Sequence, residues 1–320
     1  MVFKGSPIRK TVTVNRIVSF LPSATELIYE LGEQDKIFGV THECKYPKNA
    51  CYKPKIINTV IDSEKLTSKE IDSTTYKLLN EGKNIFVLDE ENLRKACPDL
   101  IISQETCEVC AAHTNLVNKA MEILDTKPIL YSMDPHNMKE IIEAVRELGE
   151  ILECNQKAKD ITNSLEKRIS NIREFTNTKK PKMLAIEWIE PFFTAGHWIP
   201  EMIEIAGGVN IISKTGEHSK RLTIDEIIKS EPDIIVLMPC GFDSKRTILE
   251  YNQILKNNDV WNSLTAVKNN KVFAVDANSF FSKPSIRTVE GIEILAKIIQ
   301  PEKFANLKVS NKGFRIIKSA

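Results

Sequence analysis

The sequence predicts an α/β protein of two Rossmann-like lobes, each built on a parallel sheet, joined by one long helix, with a ligand cleft between them. Buried strands alternate with helices before and after residues 137–177, which is the pattern of doubly wound sheets. Residues 137–177 themselves contain no proline and one glycine, and their apolar residues recur every three or four positions. Such a helix would be about 60 Å long, so one lobe cannot bury it.

A repeated sequence block also favours two similar lobes. Residues 95–103 read KACPDLIIS and residues 229–237 read KSEPDIIVL, in each case a helix end, Pro-Asp and an apolar strand. The alternative is that Pro-Asp is merely common at helix exits. The predicted boundaries are an N-terminal extension at 1–15, an N-terminal α/β lobe at 16–136, an interlobe helix at 137–177, a C-terminal α/β lobe at 178–301 and a tail at 302–320.

The individual elements follow from apolar runs and their flanking turn residues. In the N-terminal lobe, strands are predicted at 16–22, 37–41, 85–88 and 128–133 and within 91–104, with helices at 23–32 and 68–81. In the C-terminal lobe, strands are predicted at 182–188 and 271–276 and within 229–237, with helices at 199–208 and 288–299.

Composition excludes several classes of function. The 320 residues include 44 Lys and Arg against 43 Asp and Glu, so bulk charge indicates neither nucleic acid nor an anionic membrane as a partner. No apolar run approaches 18 residues, so no membrane insertion is expected. The first fifteen residues lack the apolar run of a signal peptide. We therefore expect a cytoplasmic monomer, with an extracytoplasmic location as the alternative if the true start lies elsewhere.

The candidate ligand site lies in the loops that follow the strands, because ligands of open parallel sheets bind beyond the carboxyl ends of the strands. These loops concentrate aromatic, histidine and charged residues, which suit a large planar ligand. The predicted ligand-binding residues are His42, Tyr46, Glu105, Glu187, Trp188, Phe192, Phe193, His197, Trp198, Phe242, Phe280, Phe281 and Arg287. The alternative is that the aromatic residues pack with nothing bound. His113, His136 and His218 are isolated in the sequence and are expected to be solvated or locally bonded.

Four of the seven cysteines fall in the same loops. Cys107 and Cys110 form a C-x-x-C pair, which suits a shared metal ion or a redox pair. If Cys44 and Cys240 converge on that pair, four thiolates would suit zinc or an iron–sulfur cluster. The alternative is that these cysteines are small packing residues. No nucleophile-elbow, P-loop, zincin or dinucleotide-binding motif occurs, so no catalytic residue is assigned and no enzyme is predicted.

The chain resembles the substrate-binding proteins of iron–siderophore and cobalamin ABC transporters, and most of all their cobalamin-binding branch. The resemblance covers residues 16–301 and rests on the blocks RIVSFLPSATELIYELG, CPDLIIS, EPDIIVL and PFFTAGHW, the last followed by a helix that ends in AGG. It implies a rigid interlobe helix, and a corrinoid facing the loop of Tyr46, the segment 192–198 and the loop of Phe280 and Phe281. It also implies an ABC transporter permease as partner.

These observations lead to one function and two alternatives. The leading prediction is a non-enzymatic binding protein for cobalamin, another corrinoid or a related metal chelate. The first alternative is a cytoplasmic metal- or iron–sulfur-binding protein that uses the four loop cysteines. The second is a thiol-dependent enzyme of corrinoid metabolism that uses Cys107 and Cys110.

Overall fold

The computed structural model describes residues 2–3, 13–104, 114–175 and 180–318 of the chain. The chain divides into two compact units. The first unit comprises Met1–Lys65, Ser73–Pro135 and Ile142–Thr162, and the second comprises Leu66–Asp72, His136–Ile141 and Asn163–Ala320. Each unit is built around one mostly parallel sheet with helices, so the predicted two-sheet α/β fold is confirmed. Two short segments from the first half of the chain nevertheless belong to the second unit.

The first sheet contains seven strands, namely β1 Val2–Phe3, β2 Ile17–Ser19, β3 Ile37–Thr41, β4 Lys55–Thr59, β5 Phe86–Leu88, β6 Leu100–Ser103 and β7 Ile129–Ser132. Their order is β1-β7-β6-β2-β3-β4-β5, and only the β4–β5 pair is antiparallel. The helices of this part of the chain are α1 Pro22–Leu31, α2 Ser68–Asn80, α3 Glu90–Ala96, α4 Thr114–Ile123, α5 Met138–Ile151 and α6 Asn155–Glu174.

The central strands of this sheet are buried on both faces, which explains their uninterrupted apolar sequences. All residues of β2 and β6 are buried, as expected where helices cover both faces of a parallel sheet. On one face, Val18 and Ile101 pack with Phe20, Leu93 and Val117 in a continuous core. The buried strands end in polar residues, and these polar ends lead into the loops considered below.

The second sheet contains six strands, namely β8 Lys182–Trp188, β9 Phe193–Thr194, β10 Val209–Asn210, β11 Ile234–Leu237, β12 Val272–Val275 and β13 Phe314–Ile317. Strands β10, β8, β11 and β12 are parallel neighbours in that order, and β9 and β13 pair antiparallel with β8 and β12. The helices are α7 Ile199–Ile205, α8 Ile224–Ser230, α9 Ser244–Ile254, α10 Asp259–Asn262, α11 Thr265–Lys268, α12 Ala277–Phe280 and α13 Thr288–Ile299. The fully buried Trp261 packs in the core of this unit.

Both ends of the chain contribute to the sheets. Strand β1 pairs with β7, although residues 1–15 were expected to be an extension outside the lobes. Strand β13 pairs with all four residues of β12, and Ile317 is buried in the core of the second unit. The expectation that residues 302–320 form a tail is therefore wrong for this strand. Backbone hydrogen bonds along β12 and the burial of Ile317 anchor the segment.

The single long helix predicted at 137–177 is also wrong, because the structure has two helices, α5 and α6, separated at residues 152–154. Glu153 adopts a left-handed backbone conformation with φ of 60°, which ends the first helix. The two helices approach closely at this turn: a Cβ atom at Gly149 would lie 2.3 Å from Cβ of Ala158. The apolar periodicity continues through the break because Leu152 and Ala158 are both buried, so the sequence pattern alone does not reveal the turn.

Candidate ligand-binding site

The second unit brings the ends of three parallel strands to one edge of its sheet. Strands β8, β11 and β12 are neighbours, so the loops that follow them begin at the same edge. The loop after β8 carries the segment 189–198, the loop after β11 carries Cys240 and Phe242, and the loop after β12 leads to Phe280 and Phe281. Ten of the thirteen predicted ligand-binding residues lie in this unit, namely Glu187, Trp188, Phe192, Phe193, His197, Trp198, Phe242, Phe280, Phe281 and Arg287.

Trp188 is at the centre of an aromatic and cationic cluster at this edge. Its ring packs edge-on against Phe242, with centroids 5.6 Å apart. The Arg246 guanidinium lies over the other aromatic partner, 3.6 Å from the Phe242 ring centroid. Phe242 is 2% exposed whereas Trp188 is half-buried. The exposed part of this cluster is therefore an indole, which offers a flat apolar face and one N–H donor.

Several other predicted aromatic residues are held in the interior of the unit. Phe192 stacks on Trp261, with centroids 5.8 Å apart and planes 15° apart. Trp198 is 5% exposed, and its Nε1 donates a hydrogen bond to the Phe281 carbonyl at 3.0 Å. Phe280 and Phe281 are buried as well. Packing accounts for these side chains without a ligand, which is the alternative that the sequence left open.

Two cationic side chains pack on the remaining aromatic residues. The Arg287 guanidinium lies 5.7 Å from the Phe280 ring centroid, and that of Arg221 lies 5.4 Å from the Phe193 ring centroid. Both distances are within the range of cation–π attraction. Arg287 therefore carries a positive charge at the start of α13, near the loop that follows β12.

Glu187 is a carboxylic acid with an unusual environment at the end of β8. Burial raises the pKa of its carboxyl to about 7, although the Ser219 hydroxyl and the Gly196 backbone amide both favour its ionised form. Desolvation disfavours the charged carboxylate more than these two groups stabilise it. Near neutral pH the protonated and ionised forms are therefore both populated, and the group can donate or accept a hydrogen bond.

Three histidines from distant parts of the chain meet next to this acid. The His197 ring centroid lies 6.4 Å from that of His136 and 5.2 Å from that of His218. Sequence reasoning treated His136 and His218 as isolated and so missed the cluster. The loop around His218 is fixed by two backbone bonds, from His197 N–H to the Glu217 carbonyl at 2.7 Å and from Gly216 N–H to the His197 carbonyl at 2.8 Å.

His197 is the most constrained member of this cluster. It has a φ of 54°, a left-handed conformation that is uncommon outside glycine and is often found at functional sites. Burial and the neighbouring His218 and His136 lower the pKa of His197 to about 4, so its ring is neutral at physiological pH. As the rings lie, the described residues contain no group of three or more His, Cys, Asp or Glu side chains that could hold a metal ion.

The first unit holds the other predicted residues that the structure describes. His42 is half-buried after β3, with Nδ1 3.3 Å from the Ile57 carbonyl, and burial lowers its pKa. Tyr46 is 41% exposed. Cys44 is fully buried, and its sulfur lies 3.2 Å from the Thr25 hydroxyl and 3.4 Å from that of Thr41. Burial raises the pKa of the Cys44 thiol, which favours the neutral thiol over the thiolate that binds metals.

The proposed four-cysteine metal site stays a prediction. Glu105, Cys107 and Cys110 lie outside the described residues. Cys240 is half-buried after β11, and its backbone N–H donates to the Glu187 carbonyl at 3.1 Å. Of the four cysteines, only Cys44 and Cys240 can thus be placed, one in each unit.

Sequence reasoning missed a second group of residues around Trp188. Residues 66–72, which precede and begin α2, belong to the second unit, and Ser68 is hydrogen-bonded to Trp188 and to the buried Glu250. The only local signal was a capping box, Thr67 with Glu70 three residues later, which marks a helix start and says nothing of distant partners. No periodicity links residues that lie so far apart along the chain.

Comparison with known proteins reveals relatives along nearly the whole chain. An uncharacterized ABC transporter substrate-binding lipoprotein of Bacillus subtilis is 25% identical over 297 residues, covering 90% of this chain and 81% of the relative. The vitamin B12-binding protein of Vibrio cholerae is 24% identical over 296 residues, covering 90% of each protein.

Two solved structures show the same fold. The periplasmic vitamin B12-binding protein of Vibrio cholerae superposes with a TM-score of 0.67 at 20% identity, covering 92% of this chain and 99% of that one. A periplasmic heme-binding protein of Pseudomonas aeruginosa superposes with a TM-score of 0.70 at 15% identity, covering 96% of this chain and 100% of that one.

These relatives correct the predicted location. They are periplasmic proteins or lipoproteins, so the expectation of a cytoplasmic protein is wrong. Its basis was the absence of an apolar run in the first fifteen residues, which is a weak guide to where a protein acts. Within the described residues, none of the helices is both long enough and apolar enough to cross a membrane.

The family assignment rests on a match that covers most of the chain. The family model described as periplasmic binding protein matches residues 17–279, from β2 to α12. Its members are substrate-binding proteins of ABC transporters and not enzymes, which agrees with the sequence-based resemblance and with the lack of catalytic motifs. The chain belongs to the periplasmic binding protein family.

Proposed function

We propose that this protein binds a corrinoid, cobalamin or a close relative of it, and presents it to an ABC transporter permease. The observation that carries the proposal is the half-buried Trp188 at the carboxyl edge of the second sheet, backed by Phe242 and Arg246. A flat indole beside a polar and cationic rim suits a large planar ligand with polar substituents. The vitamin B12-binding relative, similar along 90% of the chain, supports a corrinoid.

Haem is the second candidate, because a specific observation favours it. His197 has a neutral imidazole at physiological pH, and a neutral imidazole is a common ligand of iron. A high-affinity heme uptake protein of Staphylococcus aureus is 26% identical over 163 residues, which cover 49% of this chain. That similarity extends over half the length of the match to the vitamin B12-binding protein, so we rank haem second.

A direct titration separates the two candidates. The purified protein is titrated with cyanocobalamin, dicyanocobinamide and hemin, with calorimetry and visible absorbance as readouts. We expect a corrinoid to bind with a dissociation constant of about 1 μM or lower and hemin to bind at least tenfold more weakly. If neither corrinoid binds at 100 μM, the corrinoid proposal is wrong, and tight hemin binding would establish the second candidate.

Variants then test the position of the site. Trp188→Ala should weaken corrinoid binding at least tenfold, because a stacked aromatic contact contributes about 1–3 kcal/mol. The matched control is Phe175→Ala, which removes an aromatic ring of the second unit that is 56% exposed and packs only edge-on against Phe304. If both variants bind as the unaltered protein does, Trp188 is not in the ligand site.

A further inference from the structure

Residues 66–72, here called the strap, are bound to the second unit through the backbone and hydroxyl of one residue. Ser68 is fully buried. Its N–H donates to Glu250 Oε1 at 2.7 Å, its carbonyl accepts from Trp188 Nε1 at 3.2 Å, and its hydroxyl accepts from the Glu190 backbone N–H at 3.1 Å. Two residues earlier, the Leu66 carbonyl accepts from Arg246 Nη2 at 2.8 Å.

The groups that hold the strap, here called the seat, form a fixed pattern of donors and one acceptor. The donors are Trp188 Nε1, the Glu190 backbone N–H and the Arg246 guanidinium, and the acceptor is the Glu250 carboxylate. Donors facing a carbonyl oxygen beside a carboxylate facing an N–H are complementary to an amide group. The seat therefore recognises amides, and in this structure its occupant is the peptide backbone of the strap.

The seat is rigid and largely buried. The Glu250 residue is 4% exposed, and the Arg246 guanidinium is stacked on Phe242, which in turn packs against Trp188. A buried carboxylate needs a donor, because an unsatisfied acceptor away from water carries its full desolvation cost. An occupant that offers a second carboxylate in place of an N–H would leave Glu250 without a partner and add repulsion between like charges.

The strap is held by polar contacts that can be exchanged for a ligand. Outside Ser68 and Leu66, its links are ion pairs of Lys69 with Glu190 at 3.1 Å and of Asp72 with Arg221 at 3.2 Å. The Lys69 and Arg221 side chains are 69% and 60% exposed. Exposed ion pairs stabilise only weakly, and segments with few apolar contacts open locally more readily than the core.

We propose that the seat is a carboxamide-binding subsite, and that the strap occupies it until an amide of the ligand takes its place. The inference rests on the proposed function. A corrin ring carries acetamide and propionamide side chains around its edge, whereas haem carries propionate carboxylates. The carboxylate of Glu250 accepts the N–H of an amide and rejects a carboxylate, so Glu250 is a specificity-determining residue that selects amidated corrinoids over their acid forms and over haem.

The test compares two ligands that share one macrocycle. Dicyanocobinamide carries primary amides, and dicyanocobyrinic acid carries carboxylates at the same positions. We expect the unaltered protein to bind the amide form about 10- to 100-fold more tightly. Glu250→Gln should reduce this ratio at least fivefold, because a glutamine side chain can also donate to a carboxylate. Release of the strap is common to both ligands, so it cancels from the ratio.

The control is Glu204→Gln, which removes the same charge from an exposed position on α7. It should leave the ratio unchanged. If dicyanocobinamide binds but Glu250→Gln leaves the ratio as it was, the amide subsite is wrong while the corrinoid proposal stands. If dicyanocobinamide does not bind to the unaltered protein at 100 μM, the proposed function itself fails, and this inference fails with it.

Displacement of the strap has its own measurement. Asp72→Asn removes the ion pair to Arg221 without altering the seat. We expect it to tighten dicyanocobinamide binding by about two- to fivefold, since a weaker strap competes less. Hydrogen exchange of residues 66–72 should speed up on saturation with dicyanocobinamide. Weaker binding by the Asp72 variant, or slower exchange of these residues, would show that the strap is not displaced.

Discussion

Replacing Glu187 and His197 one at a time should tilt the pH dependence of stability in opposite directions. The folded pKa of Glu187 is about 7, against an ordinary value of 4.5. Between these values the unfolded carboxyl loses its proton while the folded one keeps it, so stability falls as pH rises. The slope is about 1.4 kcal/mol per pH unit, which amounts to at most about 3 kcal/mol over the window.

His197 produces the opposite slope over nearly the same window. Its folded pKa is about 4, against an ordinary value of 6.5, so the unfolded imidazole binds a proton before the folded one and stability falls as pH decreases. Because the ring is partly exposed, we expect about half of the full 1.4 kcal/mol per pH unit. In the unaltered protein the two contributions oppose each other between about pH 4.5 and 6.5.

Urea unfolding between pH 4 and 8, followed by tryptophan fluorescence, measures both effects. The difference in unfolding free energy between Glu187→Gln and the unaltered protein should increase by about 3 kcal/mol from pH 4.5 to 7. For His197→Asn, chosen because asparagine tolerates the left-handed backbone, the difference should increase as pH falls from 6.5 to 4. A Glu187→Gln difference that is constant within about 0.5 kcal/mol would show that the carboxyl titrates normally.

Three further predictions concern packing. Gly149→Ala should destabilise the protein by about 1–3 kcal/mol in urea unfolding, because its Cβ would lie 2.3 Å from that of Ala158, and adding Ala158→Gly should recover most of the loss; an equal loss in the double variant would contradict this. Arg168→Met should cost about 2–4 kcal/mol, since Glu293, with a side chain 9% exposed, loses both of its bonds to the guanidinium; adding Glu293→Met should restore stability, and a double variant as unstable as the single one would refute the reasoning. Ending the chain after residue 312 removes β13 and should lower the melting temperature by at least about 4 °C in a thermal scan, whereas an unchanged value would show that β13 does not stabilise the sheet.

The sequence predicts those parts of the fold that depend on local pattern. Strand β8 occupies the predicted residues, because a run of apolar residues between polar ends can form only a buried strand at that length. The break between α5 and α6 escapes the same reasoning. Burial keeps the apolar period intact on both sides of Glu153, and the turn depends on close contact between Gly149 and Ala158.

The site was predicted in outline and missed in its polar details. The rule that ligands bind beyond the carboxyl ends of strands selected the loops that contain Glu187, Trp188 and His197. It could not identify Ser68 or Glu250, because their hydrogen bond joins residues 182 positions apart and neither has an unusual local sequence. Polar contacts of this kind depend on the completed fold, whereas apolar periodicity is written into each element separately.

The position of the strap in the chain has a consequence during synthesis. Ser68 leaves the ribosome 182 residues before Glu250, a delay of roughly 10–40 s at ordinary rates of translation. For that time the strap has no seat, and the nascent first unit must fold around a segment that it does not retain. A fragment that begins at residue 178 would likewise lack both the strap and residues 136–141, so the second unit cannot be produced complete from one contiguous piece of the gene.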